Sequence, residues 1–183
     1  MARSRLPNGS SDPTLPPPPT PTPPAPPATP WIIGTDLNDV INLREPSSAA
    51  HVPANARAGA GHDFVMGNFN QNIIEGNDGN DTLVGGTGAS VLPGTDQLEG
   101  EGGNDLMYGN GGNDTMTGGT GNDTLWGGSG NDAQAGNEGN DDLYGESGND
   151  TQTGGSGDDY LDGGSGNDWQ YGNEGQDEIT GGS

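Results

Sequence analysis

Residues 118–126 read GGTGNDTLW, and residues 127–135 (GGSGNDAQA), 136–144 (GNEGNDDLY), 145–153 (GESGNDTQT) and 154–162 (GGSGDDYLD) repeat the frame without a break. The unit is nine residues long, G-x-x-G-N-D-x-U-x, with U most often Leu, Ile, Met or Val. Six turn-favouring residues alternate with three in which the central side chain is apolar. Side chains alternate faces along a strand, so a three-residue strand turns only its middle residue inward. The repeat therefore predicts a turn and then a very short strand, with two units making one coil, strands on two facing sheets and turns on two edges. Gly at the first and fourth positions is expected to supply backbone conformations that a Cβ resists, and Asn tolerates the left-handed region.

Nine such units run without a gap over residues 100–180. Upstream, the frame continues through 76–84 (GNDGNDTLV), 67–75 (GNFNQNIIE) and 58–66 (AGAGHDFVM), while 85–99 carries six extra residues. One more unit, 34–42 (GTDLNDVIN), stands apart behind a loop over 43–57, which brings the total to fourteen. This gives three expected regions: a Pro-rich linker over 1–30, the isolated first unit and its loop over 31–57, and the repeat array over 58–183. Twelve of the 15 Pro precede Trp31, and such a stretch reads as a disordered, extended polyproline II spacer.

Composition sets the energetic problem. The 183 residues carry a net charge of −23, 37 Gly, 26% hydrophobic residues and no Cys. Apolar burial contributes only about 25 cal/mol per Å², while ordering each residue costs roughly 1–2 kcal/mol, so burial alone does not hold such a chain. Without Cys there are no disulfides and no thiolate metal sites, which leaves oxygen coordination of a hard cation.

The sixth position is the decisive one. Asp occupies it at Asp39, Asp63, Asp81, Asp96, Asp105, Asp114, Asp123, Asp132, Asp141, Asp150, Asp159, Asp168 and Asp177, and Asn72 is the one exception. Every second unit falls on the same edge, so these residues stack about 4.8 Å apart. Each neighbouring pair of charges then costs roughly 1 kcal/mol in water and about 3–4 kcal/mol at an effective dielectric near 20. A divalent cation between coils cancels that repulsion, and carboxylates together with turn carbonyls provide the six to eight oxygens that Ca²⁺ prefers. Mg²⁺ fits less well, because it demands tight octahedral geometry. The expected ligands are Asp81, Asp105, Asp114, Asp123, Asp132, Asp141, Asp150, Asp159, Asp168 and Asp177, with the turn glycines Gly103, Gly112, Gly121, Gly130, Gly139, Gly148, Gly157 and Gly166. Asn72 and the insertion within 85–99 place the sites around them in question.

The units 118–126 and 154–162 match GGxGxDxUx, and the array resembles the RTX, or haemolysin-type, calcium-binding family. That resemblance implies an all-β, right-handed parallel β-roll solenoid holding several Ca²⁺ ions, with the sixth-position Asp residues as carboxylate ligands. It also implies an extracellular protein that leaves the cell unfolded through a type I secretion apparatus and folds on binding Ca²⁺. Residues 1–20 carry two Arg but no apolar run, in keeping with export that needs no N-terminal signal peptide. The alternative is that the chain is a C-terminally truncated fragment of a larger RTX enzyme, toxin or adhesin, since residues 181–183 (GGS) open a further unit.

Other features narrow the function. From residue 58 onward there is no Lys and no Arg, so nucleic acid and anionic membrane surfaces are not expected partners, and no segment is apolar enough for membrane insertion. Neither HExxH nor GxSxG occurs, and His51 and His62 have no paired nucleophile, so no enzyme activity is expected. At the eighth position Gln134, Gln152 and Gln170 replace apolar residues, predicting an inward amide ladder, neutral if paired along the stack and costly if unsatisfied, so that the sheet carrying it is expected to be the less stable one. Tyr108, Trp126 and Tyr144 at the ninth position, with Tyr160 beside them, predict an outward aromatic stripe. Cross-strand packing is its structural reading; a surface glycan or protein partner is the functional one.

Overall fold

The computed structural model describes residues 31–43, 54–86 and 94–182. The Pro-rich segment 1–30, most of the loop over 43–57 and most of the insertion lie outside the described residues. Among the described residues sixteen parallel strands form two eight-stranded sheets, and successive strands alternate between them, so these residues wind as a β-solenoid of about seven turns and contain no helix.

The first sheet holds β1 (Trp31–Ile33), β3 (Ala54–Ala60), β5 (Asn72–Asp78), β7 (Gln97–Gly102), β9 (Thr115–Thr120), β11 (Ala133–Glu138), β13 (Thr151–Ser156) and β15 (Trp169–Glu174) in that order. The second holds β2 (Val40–Asn42), β4 (Phe64–Met66), β6 (Thr82–Val84), β8 (Leu106–Gly111), β10 (Thr124–Ser129), β12 (Asp142–Ser147), β14 (Tyr160–Asp162) and β16 (Glu178–Thr180). The unit over 34–42 is continuous with the rest, because β2 pairs with β4 as Ile41 pairs with Val65.

Register follows the repeat. Leu125 lies beside Met107 on one side and Leu143 on the other, so identical positions stack along the solenoid. Six strands, β4 and β14 among them, keep the expected three residues, whereas eight cover six, because positions seven to nine and the next unit's second and third residues pair with the neighbouring coil, with the first glycine as a corner between the two paired stretches.

The core is one file of side chains per sheet. Ile41, Val65, Ile74, Leu83, Leu98, Met107, Met116, Leu125, Leu143 and Leu161 are buried, joined by Leu43, Ala56 and Ala58. Ile179, also at the eighth position, is 48% exposed on β16, the edge strand of the second sheet among the described residues. One apolar residue per nine makes a thin core, and the edges must contribute the rest of the cohesion.

The glutamines form a specifically paired ladder. Gln152 Nε2 donates to Gln134 Oε1 at 2.7 Å, and Gln170 Nε2 to Gln152 Oε1 at 2.9 Å. Each amide also crosses the core to a carbonyl of the facing sheet, Gln134 to Tyr144, Gln152 to Asp162 and Gln170 to Thr180. The amides are thus satisfied, and the expected weakening of this sheet gives way to cross-bracing.

On the outer face of the second sheet, Trp126 and Tyr144 stack with centroids 4.0 Å apart and planes at 11°. Tyr160 leans on Tyr144 at 5.6 Å and 50°. Trp126 and Tyr144 therefore use ring faces on each other, as the packing reading expects.

Candidate metal centre

Each sixth-position Asp stands where the turn enters the next strand, and the carboxylates form two ladders. On one edge the backbone N–H groups of Asp39, Asp63, Asp81, Asp105, Asp123, Asp141 and Asp159 donate to Oδ1 of Asp63, Asp81, Asp105, Asp123, Asp141, Asp159 and Asp177 in turn, at 2.7–3.1 Å. On the other edge Asn72, Asp96, Asp114, Asp132 and Asp150 donate likewise to Asp96, Asp114, Asp132, Asp150 and Asp168. Each predicted Asp thus lies in one of two continuous rows.

The second carboxylate oxygen behaves differently. Oδ2 of Asp63, Asp81, Asp105, Asp114, Asp123, Asp132, Asp141, Asp150, Asp159 and Asp168 is buried and has no hydrogen-bond partner. Such a charge is expensive to leave uncompensated. Burial accordingly pushes the carboxyls of Asp105, Asp114 and Asp141 up to about 7 and those of Asp81 and Asp132 up to about 6. The N–H held by Oδ1 pulls the other way, and neighbouring carboxylates of the row add to the rise. Asp96, Asp123, Asp150 and Asp159 shift upward for the same leading reason.

Oδ2 faces the first glycine of its own turn. A Cβ on Gly109 would lie 2.6 Å from Asp114 Oδ2 and 2.6 Å from the carbonyl oxygen of Gly127, one coil on; at Gly145 the corresponding atoms are Asp150 Oδ2 and the Gly163 oxygen, again at 2.6 Å. The first glycine is there to leave an oxygen-lined space and not, as its sequence position suggested, to adopt a left-handed backbone. Left-handed φ values fall instead at the second and fourth positions, for example Asn110 (73°) and Gly112 (127°). At the fourth position a Cβ would run into the preceding coil: one on Gly112 would overlap the Gly94 carbonyl, and one on Gly130 that of Gly112. The predicted turn glycines thus stack in two columns, Gly103, Gly121, Gly139 and Gly157 on one edge and Gly112, Gly130, Gly148 and Gly166 on the other.

Second-position geometry decides whether Oδ2 finds a partner. All ten turns with an unpartnered Oδ2 have a second residue of positive φ, namely Gly59, Asn77, Glu101, Asn110, Gly119, Gly128, Asn137, Glu146, Gly155 and Gly164. Where that residue is not left-handed, its N–H closes the turn instead: Thr35 donates to Asp39 Oδ2 and Gly86 to Asp96 Oδ2, both at 2.6 Å, and Asn68 to Asn72 Oδ1 at 3.2 Å. The left-handed residue turns its N–H away and leaves a carboxylate oxygen for something else to neutralise.

A fifth-position ladder escaped the sequence reading, although the consensus Asn was its signal. Asn122 N–H donates to Asn104 Oδ1, Asn140 to Asn122, Asn131 to Asn113 and Asn149 to Asn131, at 2.8–2.9 Å. These bonds fix the spacing between turns independently of the carboxylates.

Among the described residues no three His, Asp or Glu side chains converge on one point, so a cation at either edge has to draw on main-chain carbonyls as well as Asp. The donor set, buried carboxylate oxygens beside glycine carbonyls, is hard and all-oxygen, which suits Ca²⁺. A parallel β-solenoid with carboxylate ladders along both edges is the class that fold and site define.

A model of the RTX calcium-binding nonapeptide repeat matches residues 57–92, 93–125, 108–133, 117–152, 135–170 and 153–183. The chain belongs to this haemolysin-type calcium-binding family, whose repeats imply Ca²⁺ binding and whose members are typically secreted. No curated protein and no solved structure matches it.

Proposed function

We propose that the chain is a secreted module that folds on binding several Ca²⁺ ions. The observation that carries this reading is the row of buried Asp Oδ2 atoms without partners along both edges. Asp81, Asp105, Asp114, Asp123, Asp132, Asp141, Asp150, Asp159, Asp168 and Asp177 are the proposed carboxylate ligands. Carbonyls of Gly103, Gly112, Gly121, Gly130, Gly139, Gly148, Gly157 and Gly166, and of their turns, complete the oxygen sets. Bound Ca²⁺ supplies the positive charge that lets like-charged turns sit one strand spacing apart. Without that charge the carboxylates oppose coil stacking, and a core of one apolar residue per unit is too thin to overcome them. Folding then follows Ca²⁺ concentration, low inside a cell and about millimolar outside, which suits export of an unfolded chain by a type I apparatus. The fold is a structural scaffold in this reading, and we assign it no catalytic role.

Far-UV circular dichroism during a Ca²⁺ titration, with Mg²⁺ as control, tests the proposal. A cooperative, Ca²⁺-specific transition to β-structure is expected. A spectrum unchanged by Ca²⁺ would refute it.

A further inference from the structure

Asn72 breaks the Asp row, and its side chain explains how the solenoid tolerates the change. Fully buried, it directs its amide Nδ2 at three oxygens: the Asn70 carbonyl at 2.6 Å, Asp96 Oδ1 of the next coil at 2.9 Å and the Asn68 carbonyl at 3.2 Å. Two are main-chain oxygens of its own turn, at the second and fourth positions, and the third is the carboxylate of the following coil. These are the classes of oxygen on which a cation at the other turns would draw.

The surrounding chemistry is consistent. Asn68 and Asn70 lack the left-handed backbone usual at their positions. Asn68 N–H closes onto Asn72 Oδ1. The partner across the rung is equally complete, because Asp96 accepts two N–H groups of Asn72 on Oδ1 and that of Gly86 on Oδ2. A neutral amide carries its partial positive charge on the N–H groups, so it answers the oxygens here without adding a negative charge.

We propose that Asn72 is a built-in substitute for a cation, so that the first rung of this edge closes without metal and the coils around Ile74 and Leu98 form a seed from which the Ca²⁺-dependent coils extend. The proposal rests on the calcium-binding reading above and adds that one rung does not need the ion.

Two measurements on the full chain test it. Equilibrium dialysis against Ca²⁺ compares the wild type with Asn72→Asp and with Asn70→Gly/Asn72→Asp, which restores the fourth-position Gly and sixth-position Asp of the repeat; at least one variant should bind one more Ca²⁺ per chain. Hydrogen exchange of the wild type in chelator should show amides of Asn72, Ile74 and Leu98 exchanging roughly tenfold or more slowly than those of Asp132, Gln134 and Leu143. A wild type that binds no Ca²⁺ overturns the functional reading and this one with it. A wild type that binds several ions while neither variant gains one overturns the substitute alone, as does uniform exchange along the chain in chelator if the variants fail to fold.

Discussion

The backbone N–H of Asp123 donates to Oδ1 of Asp141 at 2.8 Å, while Oδ2 of both residues is buried and unpartnered. One oxygen of each carboxylate thus holds the preceding coil, and the other faces the first glycine of its own turn. The same side chain therefore serves the main-chain ladder and the ion, two roles that mutation can separate.

Asp123→Asn keeps an acceptor for the Asp105 N–H and removes the charge, whereas Asp123→Ala removes both. Both variants should bind fewer Ca²⁺ ions by dialysis. In saturating Ca²⁺ the Ala variant should melt lower than the Asn variant, by the equivalent of about 1–3 kcal/mol for a buried N–H left without a partner.

Acid should replace calcium in part. Burial raises the carboxyls of Asp105, Asp114 and Asp141 to about 7 and of Asp81 and Asp132 to about 6, above their usual 3.8, so between those values the folded chain binds more protons than the unfolded one. The associated stability is fully present below about pH 3.8 and is lost as pH rises through about 6 and 7. In chelator, β-structure followed by circular dichroism should grow as pH falls from neutral. In Ca²⁺ the trend should reverse, because protons displace the ion from its carboxylates.

The two kinds of turn position should respond differently to a methyl group. Gly112→Ala needs a φ of 127° and drives a Cβ into the Gly94 carbonyl, so coil stacking on that edge should fail and the Ca²⁺ transition should lose cooperativity. Asn110→Ala, at φ 73°, meets no such overlap; it loses the exposed Nδ2 bond to the Tyr108 carbonyl and incurs the left-handed backbone penalty, and should lower stability by roughly 1–2 kcal/mol, whereas Asn110→Gly loses the same bond without that penalty and should cost less. Thermal melts in saturating Ca²⁺ distinguish these outcomes.

Gln152→Leu should destabilise more than replacing Gln134, Gln152 and Gln170 together. The single change leaves Gln170 Nε2 without its Gln152 acceptor and Gln134 Oε1 without its donor. Each such loss costs about 1–3 kcal/mol, whereas the triple change leaves no side-chain amide unpaired and withdraws extra donors from carbonyls, those of Tyr144, Asp162 and Thr180 among them. A single variant more stable than the triple one would count against the ladder as a bracing element.

Much of this was legible in nine letters. Gly, Asn and Asp in six positions and one apolar residue in the next three dictate a turn and a strand whose middle residue faces inward, and the stacking of Leu125 between Met107 and Leu143 follows from that period. The Asp rows were legible too, since a residue at a fixed position in a solenoid must stack on its own kind. The glutamine ladder was visible as a spacing, but whether its amides would find acceptors depended on carbonyls of the opposite sheet, which no local pattern specifies.

Sequence by itself determined the class of fold, the two edges and the acidic rows along them, because each follows from a period and from the alternation of side chains along a strand. Only the tertiary structure decided which glycines are left-handed and which leave room, that Asn110 and Glu146 take positive φ at the second position, and that Asn72 turns its amide onto Asn68, Asn70 and Asp96. Those outcomes depend on where the adjacent coils put their carbonyls and carboxylates, a distance of one strand spacing in space and about 18 residues or more along the chain.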